Sequence, residues 1–527
     1  MNSSTFRVGL TRSWPLLALL LIAVVWLYRT PYSASSLEVP PDTVEYALAP
    51  LQLLETGRYE IILEGRGLPP RYPPWFPALV ILPAYVLFGH EPGNAILPVT
   101  SLAVAGIGFA YVIGKRLSST MGGWLAALAV MILPSYSRWA TQVMTDVPCT
   151  ALMLGTCLVY LHLRSRPQSA LLYFGAGVLV AVTTLFRPVF AAMLLPFLLA
   201  SLRQEWKGVF LRGLLLLAPM AAAAAATFAY NAATFGSPLR NGYQFWTALP
   251  MDYPTMIFSL SYVPMNLKEI AVSAFPILLI ACVGAWLLAR RRRPAAWAAR
   301  RQSVQDAAVF LVLSSTPILL FHLFYFYTDD RFHIPMLASV AVLAASILGL
   351  LVGPGNEMIL KVLLPTLFLL AVAARIAAPA PLPQRRLAAD RVRQQTPENA
   401  IVISAIDPVY LARLGGYGSS RRMVPLSRYV EYASALLVKK RVDDPRLRSL
   451  SWQDDRSFAL IRPHAEQAVR FVASERMDEL VSEVGRGTPV FFESTFVDEN
   501  DAKVLADLQT HFKLVQRVPY LYELRLP

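Results

Sequence analysis

Two carboxylates stand close together just after the first long apolar run of the chain. Asp42 and Glu45 are three residues apart in PPDTVEYALAPLQLLETGRYE (residues 40–60), so they share one side of the segment if it is helical. A carboxylate near a membrane surface can take the proton of an acceptor hydroxyl, which contributes roughly 10²–10⁴ in rate. The pair also fits a capping box that opens an amphipathic helix to Leu54. Asp42 is therefore a candidate general base, with a helix cap as the alternative.

A third carboxylate, Asp146, lies in SRWATQVMTDVPCTALML at the end of an apolar segment. An ionisable group at a membrane boundary is costly unless it is solvated or paired. Either a functional role or simple interfacial solvation accounts for it. Arg138, eight residues earlier, is a candidate partner.

Arginines at the ends of two apolar segments suit the recognition of a phosphate group. Arg187 lies in LFRPVF and Arg331 in YTDDRFHIP. A guanidinium at the level of the lipid headgroups binds phosphate through paired donors and keeps its charge when partly buried. Snorkelling to the interface is the alternative explanation for each. Asp329 and Asp330 offer Arg331 a neutralising partner.

The sequence indicates no metal site or other cofactor. His322 and His333 lie on either side of a helix end and lack the spacing of a metal pair, and the Asp329–Asp330 pair is a weak signal for a divalent cation. The three cysteines, Cys149, Cys157 and Cys282, all lie in apolar runs, which is typical of packing residues.

The elements that position these residues are membrane helices. The 527-residue chain is 55% hydrophobic and 16% charged, and its apolar residues come in runs of a length that spans a bilayer. The net charge of +14 sits in short loops beside these runs, which favours contact with membrane lipids over nucleic acid. We expect a polytopic α-helical membrane protein with about eleven transmembrane helices, at roughly 13–30, 93–113, 122–138, 147–163, 169–185, 189–202, 213–230, 271–289, 306–325, 335–352 and 358–374.

Basic residues in alternate loops predict the orientation. Lys115 and Arg116, Arg164 and the run RRRR at 290–293 mark the cytoplasmic side, so the N-terminus is cytoplasmic and the loops 31–92 and 231–270 lie outside. The first span is predicted to be an uncleaved signal anchor. The apolar segment 74–89 contains Pro77 and Pro83 and is too short to cross, so we expect a helix along the outer interface.

The C-terminal part has the composition of a globular domain. The first 375 residues form the membrane domain, residues 376–394 are the predicted linker, and residues 395–527 are predicted to fold as an extracytoplasmic α/β domain. Strands are expected at 401–406, 457–462, 489–495 and 520–526, and helices at 427–440 and 464–485.

The order of several short motifs resembles a known superfamily. These motifs are PDTVEYALAPLQLLETGRYE, RYPPWFPALVILPAYVLFG, SRWATQVMTD, NAATFGSPLRNGYQF and DDRFHIPML, and they cover about residues 40–340. The layout resembles the GT-C polyprenyl-phosphate-sugar glycosyltransferases, in particular the branch of the dolichyl-phosphate-mannose protein mannosyltransferases and the lipid A aminoarabinose transferase. The resemblance implies the GT-C fold.

The resemblance also implies roles for the carboxylates. An acidic residue in the first outer loop of that family is the proposed base, and Asp42 matches it. The family often has an Asp-Glu pair there, whereas Thr43 follows Asp42 in this chain, which leaves Glu45 as a second catalytic candidate. Asp146 matches an acidic residue at the outer end of the third span that positions the acceptor or Asp42.

For the basic and aromatic positions, the resemblance implies substrate contacts. Arg187 and Arg331 match the phosphate ligands of the family. Tyr59, Arg71 and Tyr72 flank the interfacial segment and are candidates for the same cavity, and Arg138 is a further substrate-binding candidate on the outer side.

The implied enzyme is an inverting glycosyltransferase that uses a polyprenyl-phosphate-sugar donor. Its acceptor is a lipid, a glycan or a protein on the outer face, and the composition favours a bacterial inner membrane. A transporter or flippase for a lipid-linked glycan is the alternative, although transporters place polar groups near the bilayer midplane, where this chain has few.

Overall fold

The computed structural model describes residues 16, 19–24, 37, 42–63, 66–202, 206–246, 251, 254–274, 295–351, 384–404, 421–425, 477–495, 506 and 508–527. The predicted spans at 13–30, 271–289 and 358–374 lie wholly or mainly outside these residues, as do the predicted strand 457–462 and helix 427–440. The chain divides into two compact units. Unit 1 comprises Met1–Pro31, Ile96–Thr227 and Val263–Ala380, and unit 2 comprises Tyr32–Ala95, Phe228–Tyr262 and Pro381–Pro527.

The described residues form α-helices, short π- and 3₁₀-helical turns, and β-strands. The α-helices are α1 (Asp42–Thr56), α2 (Leu82–Phe88), α3 (Ile96–Leu117), α4 (Thr120–Met131), α5 (Pro134–Trp139), α6 (Asp146–Ser165), α7 (Ala170–Phe186), α8 (Leu194–Leu202), α9 (Trp206–Phe235), α10 (Gly242–Trp246), α11 (Pro254–Ile257), α12 (Ala295–Leu323), α13 (Ile334–Leu351) and α14 (Gln384–Gln395). A π-helical turn covers Pro77–Ile81, and 3₁₀ turns cover Pro92–Ala95, Pro188–Met193, Leu260–Tyr262 and Asp330–His333. The strands are β1 (Ile61–Leu63), β2 (Arg66–Leu68), β3 (Ile401–Ser404), β4 (Arg422–Pro425), β5 (Val490–Glu493), β6 (Lys513–Val518) and β7 (Leu521–Arg525).

Five of the described helices are long and apolar enough to cross a membrane. They are Pro92–Leu117, Asp146–Ser165, Val209–Phe235, Arg300–Leu323 and Asp330–Leu350. The first three contain the predicted spans 93–113, 147–163 and 213–230, and the last two overlap those at 306–325 and 335–352. Four apolar helices are shorter: Pro77–Phe88, Thr120–Met131, Ala170–Phe186 and Pro188–Ser201. These findings support a helical membrane protein, and the total of about eleven spans remains a prediction.

Proline residues break one of the expected spans and end another. The span predicted at 122–138 breaks into α4 and α5, because Leu133 precedes Pro134 and is extended, with φ −56° and ψ 119°. In the same way Arg187 precedes Pro188 and is extended, with φ −154° and ψ 109°, which ends α7. The chain therefore turns at Arg187, which is one of the predicted phosphate ligands.

Small residues allow the helices of unit 1 to pack closely. Helix α3 packs on α4 and α6, and α13 packs on α4. A Cβ added to Gly349 would lie 2.5 Å from the Cα of Gly122, and one on Gly114 would lie 2.5 Å from the carbonyl oxygen of Gly122. Membrane helices gain van der Waals contact in this way where no hydrophobic effect drives them together.

The C-terminal part of unit 2 contains a five-stranded sheet with the order β4-β3-β5-β7-β6. Strands β3, β4 and β5 are parallel, and β7 is antiparallel to both β5 and β6. Its core includes Ile403, Phe492, Leu508 and Leu524. Three of the four expected strands are present as β3, β5 and β7, residues 477–485 are helical, and β4 and β6 were not expected. Helix α14 begins inside the range predicted as linker.

The interfacial segment predicted at 74–89 is a continuous helical element in unit 2. Phe76, Ile81 and Tyr85 are buried on one side, whereas Leu87 is 72% and Phe88 62% exposed on the other. Tyr85 Oη donates to the carbonyl oxygens of Ala47 (2.8 Å) and Pro92 (3.3 Å), which ties the element to α1. An exposed apolar face supports the prediction that this element lies at the membrane surface.

Candidate active site

An ion pair at the start of α6 joins two of the predicted site residues in unit 1. Asp146 is the first residue of α6 and is only 2% exposed. Arg187 Nη1 donates to Asp146 Oδ1. The interpretation of Arg138 as the partner is therefore wrong, because Arg138 is exposed and its guanidinium lies 5.3 Å from the ring of Trp139. The extended backbone before Pro188 ends α7 at the residue that pairs with Asp146.

His322 lies on the other side of the same guanidinium. Its Nε2 is 3.5 Å from Arg187 Nη2, and its Nδ1 is 2.8 Å from the carbonyl oxygen of Ile318. The sequence drew attention to His322 only as an unsuitable metal ligand. The available signal was a polar residue at the end of an apolar helix, which by itself marks a functional candidate.

The second predicted phosphate ligand, Arg331, is held by a 3₁₀ turn and by aromatic rings. Asp329 caps this turn by accepting from the backbone N–H of Arg331 at 3.2 Å, and its Oδ2 lies 3.3 Å from Arg331 Nε. The guanidinium lies 5.2 Å from the ring of Trp139 and 5.1 Å from that of Phe332. Of the two aspartates expected to neutralise Arg331, Asp329 does so, whereas Asp330 accepts from Trp139 Nε1 at 2.7 Å.

Phe332 connects the two arginines. The guanidinium groups of Arg187 and Arg331 each lie 5.1 Å from its ring centroid. The imidazole of His322 stacks on the same ring at 4.5 Å with an interplanar angle of 19°. Unit 1 thus brings Asp146, Arg187 and Arg331 into one cluster, which we call the arginine cluster together with His322 and Phe332. The cation–π contacts hold both positive charges in place.

Several buried polar atoms around these residues lack a hydrogen-bond partner within the described part of the chain. They are Asp146 Oδ2, Thr328 Oγ1 and both ring nitrogens of His333. Each such atom costs about 1–3 kcal/mol unless a ligand or water satisfies it. Burial also raises the pKa of Asp329 to about 7, although Arg331 opposes this shift. The arrangement suits a ligand that is anionic and carries hydroxyl groups.

The remaining catalytic candidates lie in unit 2, at the start of α1. Asp42 and Glu45 are in its first turn and are 8% and 4% exposed. The helix dipole favours carboxylates at this end. Glu45 Oε2 accepts from the backbone N–H of Arg71 at 2.7 Å, which fastens α1 to the chain that follows β2. Asp42 is the first described residue of α1, and its assignments as a base and as a helix cap both stay predictions.

The tyrosine candidates surround the same helix end. Tyr72 stacks on Tyr46 with 4.2 Å between ring centroids, and Tyr59 Oη donates to the carbonyl oxygen of Tyr72 at 3.2 Å. Burial, and then the negative charge of Asp42, raise the pKa of Tyr72. Burial acts to lower the pKa of Arg71, but the charges of Glu45 and then Asp42 outweigh it, so the pKa of the guanidinium is raised. Unit 2 therefore brings Asp42, Glu45, Tyr59, Arg71 and Tyr72 together, and we call this group the α1 cluster.

The second predicted outer loop contributes residues that the sequence did not single out. Trp246 Nε1 donates to the carbonyl oxygen of Pro69 at 2.8 Å, and the ring of Tyr243 lies 5.5 Å from that of Tyr72. A Cβ on Gly242 would lie 2.3 Å from the carbonyl oxygen of Arg71, so only glycine permits this approach. Across the described ranges, no group of three or more His, Cys, Asp or Glu residues has the arrangement of a metal site.

Part of the chain matches a known protein family. Residues 71–231, which include Asp146 and Arg187, match the family model described as dolichyl-phosphate-mannose-protein mannosyltransferase. No curated protein matches the chain.

Solved structures of the same fold extend this likeness to nearly the whole chain. The structure of ArnT from Cupriavidus metallidurans bound to undecaprenyl phosphate is 14% identical with a TM-score of 0.57, and the match covers 99% of this chain and 98% of ArnT. The apo state of ArnT gives a TM-score of 0.56 at the same identity and coverage. The apo oligosaccharyltransferase of Archaeoglobus fulgidus is 13% identical with a TM-score of 0.51, covering 91% of this chain and 69% of that one. The structural matches show the shared fold, and the family match together with this fold confirms the resemblance to GT-C polyprenyl-phosphate-sugar glycosyltransferases and indicates a glycosyltransferase.

Proposed function

We propose that the chain is an integral-membrane, inverting glycosyltransferase that moves a sugar from a polyprenyl-phosphate carrier to a lipid, glycan or protein acceptor on the outer face of a bacterial inner membrane. The single observation that carries the proposal is the arginine cluster, in which two guanidinium groups share the ring of Phe332 at 5.1 Å each. The fold shared with ArnT, whose structure binds undecaprenyl phosphate, supports a lipid phosphate as the ligand.

In the proposed mechanism, the arginine cluster binds the phosphate of the donor. When the bond between the sugar C1 and the phosphate oxygen breaks, the electron pair stays on the phosphate and its negative charge grows. Arg187 and Arg331 would stabilise that charge, and fixed donors of this kind contribute roughly 10²–10³ in rate. The leaving group then needs no proton.

Asp42 is the proposed base. It would take the proton of the acceptor hydroxyl as the hydroxyl oxygen forms its bond to C1 from the side opposite the phosphate, so a single displacement inverts the anomeric centre. Glu45 is a weaker choice, because one of its carboxylate oxygens accepts from the backbone N–H of Arg71. Tyr59 and Tyr72 would support the helix end that carries Asp42.

The orientation follows from the charge pattern of the loops. Lys115, Arg116 and Arg164 would be cytoplasmic, with Asp42, Asp146 and Arg187 on the outer side together with the C-terminal sheet domain. About eleven spans are part of this proposal.

The test is turnover with synthetic short-chain prenyl-phosphate sugars in nanodiscs. Asp42→Asn keeps the size of the side chain and removes the base, so we expect turnover to fall by about 10²–10⁴ while donor affinity is kept. Glu55→Gln is the matched control, since Glu55 is an exposed carboxylate in the last turn of the same helix. Full turnover in Asp42→Asn would refute the base assignment, and the absence of turnover with every donor in the wild type would refute the transferase.

A further inference from the structure

We infer that His322 is a positioning residue that sets the direction of the Arg187 guanidinium for the donor phosphate. The inference rests on the proposed function, because it assigns a role within the same phosphate site. His322 is 3% exposed and lies one residue before the end of α12.

The hydrogen bond to Ile318 fixes the tautomer of the ring. A carbonyl oxygen can only accept, so the Nδ1 at 2.8 Å from the Ile318 carbonyl oxygen carries the proton and donates. The lone pair is then on Nε2, the nitrogen that faces Arg187 Nη2. The main chain of α12 thereby makes His322 a hydrogen-bond acceptor toward a guanidinium, which is a donor only.

Three side chains contact the guanidinium of Arg187. Asp146 accepts from Nη1, His322 faces Nη2 at 3.5 Å, and the ring of Phe332 lies 5.1 Å from the guanidinium carbon. The distance to His322 is at the outer limit of hydrogen bonding, and such contacts tighten when a ligand closes the site. A guanidinium fixed in this way binds a phosphate with little loss of side-chain entropy.

His322 also contacts Phe332, the ring that the two arginines share. Its imidazole is nearly parallel to the ring of Phe332 at 4.5 Å. Phe332 in turn contacts the guanidinium of Arg331. Loss of the histidine therefore disturbs Arg187 directly and Arg331 through one ring.

Three substitutions separate the parts of this role. His322→Phe keeps a stacking ring and loses both nitrogens. His322→Gln places an amide oxygen near the position of Nε2, and His322→Asn places an amide nitrogen near that of Nδ1. If the acceptor toward Arg187 matters, His322→Gln retains the affinity for a phosphate that His322→Phe loses, and His322→Asn does not retain it.

The measurement is the affinity of the full-length protein for farnesyl phosphate and for farnesol. We expect His322→Phe to weaken farnesyl phosphate binding by about tenfold or more, to leave farnesol binding unchanged, and to be largely rescued by His322→Gln. If the role of His322 were purely structural, His322→Phe would weaken the binding of both ligands equally. His162→Phe is the matched control, because His162 also lies beside an arginine (Arg116, 3.1 Å) and a carbonyl oxygen four residues back, at the opposite end of α6 from Asp146.

The outcomes distinguish this inference from the proposed function. If the wild-type protein binds farnesyl phosphate no better than farnesol, the phosphate site itself is refuted. If the wild type prefers the phosphate and His322→Phe keeps that preference, only the role of His322 is refuted. Rescue by asparagine as good as that by glutamine would also overturn it. Should His322→Phe fail to fold, the comparison of glutamine with asparagine gives the same decision.

Discussion

Two buried carboxylates, one in each unit, pair with an arginine but differ in how completely they are satisfied. Glu493 is fully buried at the end of β5, and its Oε1 accepts from Arg391 Nη1 at 3.3 Å and from the backbone N–H of Thr495 at 3.0 Å. Its Oε2 accepts from Ser404 Oγ at 3.2 Å. Both carboxylate oxygens therefore have donors from the protein.

Asp146 is buried to a similar degree, but only Oδ1 is bonded to Arg187, and Oδ2 has no partner within the described part of the chain. A fully satisfied buried network specifies a fold, whereas an incompletely satisfied one costs free energy unless a ligand completes it. We infer from this contrast that the network around Glu493 fixes the local fold, whereas Asp146 Oδ2 is left for a hydrogen-bond donor of a ligand.

Among the variants that test this comparison, Arg187→Met has the largest expected effect. We expect turnover to fall by about 10²–10³, because a donor to the leaving phosphate is lost. The midpoint of thermal unfolding should fall too, since a buried charge without its partner costs about 3–5 kcal/mol. In the double variant Arg187→Met/Asp146→Asn, the midpoint should recover and turnover should not. Recovery of both would show that Arg187 acts only on stability.

Asp146→Asn should have a smaller effect than Arg187→Met, and it should strengthen the binding of a phosphate. The negative charge of Asp146 opposes a phosphate beside Arg187, so its removal should tighten farnesyl phosphate binding by about tenfold, which corresponds to ~1.4 kcal/mol. Asp306→Asn is the control, because Asp306 is likewise paired with an arginine. Its Oδ1 lies 3.0 Å from Nε of Arg164, in the last turn of α6. Weaker binding in Asp146→Asn, or equal tightening in both variants, would contradict the assignment of the phosphate to Arg187.

The smallest expected effect is the pH dependence at Glu493. Burial raises the pKa of Glu493 in spite of the donors from Thr495, Ser404 and Arg391. A carboxyl group with a raised folded-state pKa stabilises the fold fully below its unfolded pKa, about 4.3, and this stabilisation is lost as the pH rises through the folded-state value.

The wild type should therefore lose stability relative to Glu493→Gln as the pH is raised above about 4.3. The measurement is the midpoint of thermal unfolding across that range, with turnover of the variant expected to stay at the wild-type level. Glu479→Gln is the control, since Glu479 pairs with Arg422 in an exposed position. A difference that is constant with pH would argue against a titrating Glu493.

The sequence predicted the parts of the site that depend on local pattern. Apolar runs of membrane-spanning length placed the described membrane helices, and the limits of these runs placed Arg187 and Arg331 at helix ends. The resemblance to GT-C enzymes then assigned them to one site. The two arginines are brought together within unit 1, as that assignment requires.

The contacts between distant segments could not be read from the sequence. Nothing in the spacing shows that Asp146 pairs with Arg187 and not with Arg138, because the pairing depends on how α6 and α7 pack. His322 and Gly242 were missed for the same reason: each is defined by a partner more than a hundred residues away. Strands β4 (RMVP) and β6 (KLVQRV) lie at the two edges of the sheet and carry charged residues, so they lack the continuous apolar run that marked β3 and β5.

The most direct test of the central claim is the affinity for farnesyl phosphate of two arginine variants, Arg331→Met and Arg391→Met, measured beside their unfolding midpoints. Arg331 belongs to the arginine cluster, and Arg391 completes the satisfied network around Glu493. We expect Arg331→Met to weaken binding by about a hundredfold, or ~2.7 kcal/mol, and Arg391→Met to lower the unfolding midpoint while binding stays unchanged. Wild-type affinity in Arg331→Met, or an equal loss of affinity in both variants, would contradict the account.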